Sequence, residues 1–445
     1  MSELEIISRH AATVLVGQLA IMAFGVTDTI VAGRYAETSL AALSVGSAVY
    51  ISVYVALMGV LQALLPVWAE LQGAKRHRQL GRSFRQALYL CGITMLVGMA
   101  VLLSPGALLN LTEVPMALRS EVQSYLAVLA LALPPSLLFR MYSTLNQGLG
   151  RPQLVTWLQI GSLFIKVPLS IWFAFGGLGL EPQGAVGCAW ATLVVNYAML
   201  GVALWLLRTQ DLYQPYGIWG ALERPNWKEI ATFARLGIPS GLAIMVEVTS
   251  FTLMALFIAR MGTVAAASHQ IATNITAVLY MVPLSIAIAA SSRVSYWLGA
   301  GNNDKARAVI RAGLTMTVSA ALLLSLALLL ARTTLATIYA RSPDVVALAV
   351  PLLGWVAIYH LADAVQAVCV FLLRCFGVTI APLAVYCLLL WGMGLAGGYL
   401  LAYRGLGTWQ AMDTPSAFWA TSAAALSLTA LIFTFILWRA TRRTR

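Results

Sequence analysis

Seven ionisable side chains interrupt long apolar runs in this sequence: Asp28, Arg140, Lys166, Glu247, His269, His360 and Asp363. If those runs cross a bilayer, each charge at depth costs about 2.5–3.5 kcal/mol on the mildest scale, so each is a functional candidate. Tyr359 and Asp363 are four apart and share a helix face, which Gln366 continues. Glu247 follows Pro239, which frees a backbone carbonyl, and Thr249 and Ser250 add hydroxyls beside it. Two carboxylates, a phenol and hydroxyls suit a hard monovalent cation such as sodium, held at Glu247 and Asp363. They suit a proton equally well, because desolvation disfavours an isolated negative charge. The bland alternative is a polar cluster that glues helices together.

Asp28 and Lys166 form a second pair, which would neutralise both charges in a low dielectric. It is either a static bridge or a switch, broken when Asp28 takes a proton or a cation. His360, three residues before Asp363, could tune or relay a proton, or simply hydrogen-bond at a helix interface. His269 reads as a packing polar residue. Gln270 and Asn274, four apart, are candidates to line a cavity, as is Gln366. Trp172, Trp355 and Phe251 could offer cation–π contacts to a lipophilic cation, and Met245 and Met254 would let such a cavity adapt. Arg374 lies near the end of its run and is expected to snorkel.

The elements that must position these residues follow from composition. The chain has 445 residues, 60% hydrophobic and only 10% charged, with mean hydropathy +0.84. An average soluble domain is about 25% charged, so a soluble globule and a disordered chain are both excluded. Continuous apolar runs exclude a transmembrane β-barrel, whose strands alternate. At about 20 residues per helical span, runs fall at 11–33, 41–70, 84–104, 122–145, 153–176, 185–207, 232–260, 265–297, 308–331, 345–374, 380–403 and 416–438. The fold class expected is therefore an all-α polytopic membrane protein with 12 spans.

With both termini in the cytoplasm, the inner loops carry roughly 20 Lys and Arg and the outer loops roughly 6, a bias that supports this orientation. The inner set includes Lys75, Arg76, Arg78, Arg82, Arg85, Lys305, Arg307 and Arg311. The net charge of +12 thus anchors the chain and does not point to nucleic acid.

The longest break, 208–228, contains Pro215, Gly217, Gly220 and Pro225 and separates six spans from six. It predicts an N-lobe over 1–207 and a C-lobe over 229–445. At one constant offset Arg34 falls on Arg260, Tyr54 on Tyr280, Gly73 on Gly299 and Arg85 on Arg311. A repeat of six spans begins and ends on one side, so the copies are expected to be parallel and related by a pseudo-two-fold axis along the membrane normal. Transporters built this way place substrate between the halves. There is no P-loop and no H-E-x-x-H, and the five cysteines form no C-x-x-C pair. No enzyme and no cofactor is expected. Uphill transport would then need an ion gradient.

The segments GVTDTIVAG, IPSGLAIMVEVTSF, AAASHQIATN, LGAGNNDKAR and AIYHLADAVQAVCVFLLRCFG resemble multidrug and toxic compound extrusion (MATE) transporters, most closely the NorM-like branch. The resemblance covers essentially the whole chain. It implies cation-coupled export of small hydrophobic, often cationic drugs across a bacterial inner membrane by alternating access, by a monomer. It implies a cation site at Glu247, Tyr359 and Asp363, an acidic partner at Asp28, and coupling to sodium or, in some members, protons. Three positions depart from the pattern. Thr13 replaces a proline in span 1, Lys166 replaces an asparagine in span 5, and His360 replaces a neutral polar residue in span 10. The second puts a cation at Asp28 in doubt, and the third favours protons. A flippase for lipid-linked oligosaccharide is the alternative, but its cavity should be strongly cationic, and only Arg140 and Lys166 would serve.

Overall fold

The computed structural model describes residues 2–104, 106, 116–177, 179–405 and 410–443. Twelve helices among them are long and apolar enough to cross a membrane. These are α1 (Glu3–Tyr35), α2 (Glu37–Gly73), α3 (His77–Leu103), α4 (Met116–Gly148), α5 (Gln153–Phe175) and α6 (Gly184–Thr209). Then follow α7 (Trp227–Ala259), α8 (Thr263–Gly299), α9 (Asn303–Tyr339), α10 (Pro343–Cys375), α11 (Ile380–Tyr403) and α12 (Ser416–Arg443). Each coincides with an expected span. Most run several residues further, because polar turns remain helical beyond the apolar stretch.

Two helices are irregular. In α2 the ladder breaks between Gln62 and Leu65, where Leu64 caps a second segment that carries Pro66. In α11 the stretch Cys387–Ala396 is a π-helix. Such wide turns recur at functional sites, since they re-aim side chains. α1 contains no proline and is continuous through Thr13, whereas α7 carries Pro239 within it.

The chain forms two compact units. One is Thr13–Gly241; the other is Leu242–Arg445 together with Met1–Ala12. The division therefore falls inside α1 and α7, not in the linker at 208–228, and the reason is local. Glu3 is gripped bidentately by Arg293 of α8, with Nε and Nη2 at 2.7 and 2.9 Å, and accepts from Trp297 Nε1 at 3.2 Å. The linker instead docks on α3. Arg85 pairs with Glu223 at 2.6 Å, Gln86 Nε2 donates to the Arg224 carbonyl, and Tyr89 donates to the Glu223 carbonyl. The first turns of α7 then press onto α2, where a Cβ at Gly241 would lie 2.3 Å from the Ala56 carbonyl oxygen. Small residues permit such contact where no water drives helices together.

Within the first unit, α4 is the hub. It packs on α2, α3 and α6, and α5 packs on α6. Within the second, α10 packs on α8, α9 and α12, and α11 packs on α12. The same pairs recur six helices later, as a repeat requires. The hub positions are densely apolar: Leu126, Leu129, Leu133 and Leu137 on α4, and Leu352, Val356, Val368 and Leu372 on α10.

Candidate functional site: a carboxylate pair and an ion pair

In the second unit, α7 delivers Glu247 and α10 delivers Asp363 to one amide. Gln366 Nε2 donates to Asp363 Oδ1 at 3.0 Å and to Glu247 Oε1 at 3.3 Å. The amide oxygen of Gln366 in turn accepts from the Tyr386 hydroxyl on α11. Gln366 is completely buried, so it bridges the acids and does not line an open cavity. The arrangement has a chemical consequence. Two desolvated carboxyls on one neutral donor cannot both stay ionised without a positive charge between or beside them. A proton or a small monovalent cation meets that need.

Tyr359 sits on the same helix, within electrostatic reach of both acids. Its ring meets Phe251 edge-on at 5.9 Å and Trp419 at 5.5 Å. Its hydroxyl makes no hydrogen bond among the described residues. Phe251, Met254, Tyr359, Leu390 and Ser422 line a small cavity of about 10 Å³, the size of a single water. It is far too small for a drug, so Phe251 and Met254 here pack around Tyr359.

His360 is hydrogen-bonded to neither acid. It is fully buried, and neither ring nitrogen has a partner. His269 accepts from Trp419 Nε1 at Nδ1, 3.2 Å, and its Nε2 lies 3.3 Å from the Thr273 hydroxyl, so it is a packing polar residue. Gln270 and Asn274 are exposed on one face of α8 and bond to each other at 3.0 Å.

Three contributors are not evident from the sequence. Tyr386 has no charge to flag it, and its position before the π-helical stretch decides where it points. Trp391 within that stretch donates to the Val246 carbonyl at 3.2 Å and holds α11 against the turn that carries Glu247. Arg374 does not snorkel: it is only 3% exposed, with its guanidinium over Phe371 at 4.3 Å. Its place as the penultimate residue of the helix suggests the surface, but neighbouring helices bury that end.

In the first unit, Lys166 Nζ meets Asp28 Oδ1 at 2.7 Å. Lys166 also donates to the Cys188 carbonyl at 3.0 Å and the Thr192 hydroxyl at 2.7 Å, which uses all three of its protons. Ser170 donates to Asp28 at 3.0 Å. Here α1, α5 and α6 converge, and the Lys166 ammonium lies directly against the Asp28 carboxylate. Arg140 on α4 is buried with its Nε unpartnered. All five cysteines are free thiols.

Comparison with known proteins agrees with this architecture. The chain is 37% identical, over 96% of its length and 92% of the relative's, to a probable multidrug resistance protein NorM of Aromatoleum aromaticum. It is 31% identical, over 100% of its length and 95% of the relative's, to one of Chromobacterium violaceum. Its fold is similar to the crystal structure of the eukaryotic MATE transporter AtDTX14, with TM-score 0.88 at 19% identity, covering 100% and 98% of the two chains. It is also similar to the Vibrio cholerae MATE transporter VcmN in the bent form, with TM-score 0.85 at 18% identity and the same coverage. The MatE family model matches twice, at residues 14–172 and 239–400, once in each half of the repeat. The chain is a member of the MatE family.

Proposed function

We propose that this protein is a cation-coupled antiporter that exports hydrophobic cationic compounds from the cytoplasm, as a multi-pass protein of a bacterial inner membrane. The observation that carries this reading is the shared amide: Glu247 and Asp363, on helices of one repeat, are held by Gln366 deep in an apolar bundle. No folding advantage requires two acids there, since apolar residues of like volume would serve stability better. Their use is to take up a sodium ion or a proton and release it again. Binding neutralises the site and favours one arrangement of helices, and release favours the other, which is the two-state element antiport needs. The multidrug names of the relatives supply the substrate class. Gln270 and Asn274, exposed on α8, are candidates to meet substrate.

The buried bases do not favour the flippase alternative. Lys166 is committed to Asp28, and the other buried arginines, Arg140 and Arg374, belong to different units, which makes no cationic cluster for a phosphate-rich headgroup.

The test is dye efflux from everted vesicles with separate sodium and proton jumps. Ethidium flux should follow at least one jump in the wild type. Asp363→Asn and Glu247→Gln should each abolish that response. Wild-type efflux in both variants would refute the carboxylate site.

A further inference from the structure

The two ends of the Gln366 amide are used differently. Its N–H groups donate to Asp363 Oδ1 and Glu247 Oε1, at 3.0 and 3.3 Å, and its oxygen accepts from the Tyr386 hydroxyl. That network decides which end faces the acids. Only N–H groups can serve two carboxylate oxygens, and only the oxygen can accept from the phenol. Tyr386 is itself held in place. It is buried, its ring packs on Phe433 of α12 with centroids 5.3 Å apart, and its hydroxyl makes no other hydrogen bond among the described residues. Further along α11, Trp391 ties the same helix to the Val246 carbonyl, next to Glu247. Turning the amide over would aim its N–H groups at the phenol and leave the hydroxyl proton without an acceptor, an unsatisfied donor in a buried place.

This orientation discriminates between the two cations that would neutralise the pair. A sodium ion is hard and wants oxygen ligands around it. The amide oxygen beside the acids is turned away from them, and the positive end of the amide dipole points between the carboxylates instead. A proton needs no shell of ligands. It sits on the outer oxygen of either carboxyl while both inner oxygens go on accepting from Gln366. The ionisable side chains that neighbouring helices bring are Tyr280 of α8, Tyr359, His360 and Arg374 of α10, and Tyr386 of α11. α12 has none before Arg439. The tyrosines add phenol oxygens at most, His360 is bonded to neither acid, and none of these groups restores the amide oxygen.

We propose that Tyr386 sets the ion specificity of the carboxylate site: by fixing the Gln366 amide with its N–H groups toward Glu247 and Asp363, it makes the site take a proton in preference to sodium. This rests on the antiport reading above and names its ion. Tyr386 has no hydrogen bond to either acid, so it is a positioning residue that acts through Gln366. Freed from the phenol, the amide can turn its oxygen inward as a sodium ligand, and the preference weakens.

The test uses the full-length protein in liposomes, with ethidium efflux driven by separate sodium and proton jumps of equal size. Protons should drive the wild type faster than sodium. In Tyr386→Phe the ratio of sodium-driven to proton-driven flux should rise about tenfold, the change that goes with one unsatisfied buried donor. A merely structural role for Tyr386 would lower both rates together and leave the ratio where it was, and that result overturns the proposal. If Tyr386→Phe is not recovered folded, Gln366→Glu decides, because it puts carboxylate oxygen where the N–H groups now lie. The same ratio must rise in it, and an unchanged ratio overturns the proposal. A wild type driven as fast by sodium as by protons overturns this inference alone and leaves the antiport reading standing. A wild type driven by neither ion overturns the antiport reading with it.

Discussion

At the scale of single residues, the second unit depends on Gln366 and the first on Lys166. The Gln366 amide is the only neutral group bonded to both Glu247 and Asp363 among the described residues. Gln366→Leu removes their donor while keeping approximate volume, so both acids lose a stabilising bond worth about 1.5–3 kcal/mol each when charged. Cation affinity should change at least tenfold in sodium binding measured by calorimetry. An unaltered affinity would show that the bridge is incidental. Lys166 is the stricter case. Lys166→Met strands Asp28 without its partner, and removal of one member of a buried pair costs about 3–5 kcal/mol. The thermal midpoint should fall clearly. Asp28→Asn added to it should recover much of the loss, because no uncompensated charge then remains. If the double variant is no better than the single, packing and not charge governs the site.

At the scale of elements, the linker is latched by α3. Arg85 holds the Glu223 carboxyl below the ordinary carboxylate range through a side-chain hydrogen bond. A carboxyl depressed in the folded state stabilises above its unfolded value of about 4.3 and loses that contribution as pH falls through the lower folded value. Hydrogen exchange over residues 217–226 should thus stay slow at neutral pH and accelerate once the medium is more acidic than that window. In Glu223→Gln it should be fast throughout and insensitive to pH. The same contact surface admits no side chain at Gly81, where a Cβ would fall 1.8 Å from the Tyr216 carbonyl oxygen. Gly81→Ala must displace the turn, with an overpacking cost of about 1–3 kcal/mol. Unchanged protection of the Asp211–Tyr216 turn in that variant would refute the contact.

For the whole molecule, the 28 Lys and Arg place orientation on the ends of the helices. Both chain termini should face the cytoplasm, and reporters fused to each end should give the same side in a membrane-impermeant labelling assay. A split result would invert half the spans and with them the direction assigned to transport. The twelve spans and the duplication were legible because each rests on local composition or on spacing along the chain, whereas the units divide inside α1 and α7 and not at 208–228. A run of about 20 apolar residues has no soluble alternative, and Pro239, Tyr359 and Asp363 keep their neighbours wherever the helix goes. The acids were legible for the same reason: charge in an apolar run is conspicuous by itself. What the sequence could not determine is who answers each charge. Gln366 was a candidate for an open cavity and is the buried bridge, Arg374 was expected at the surface and is enclosed, and Tyr386 carried no signal. Each outcome depends on helices far apart in the chain that meet side by side, and the energy of a buried charge is set by those meetings.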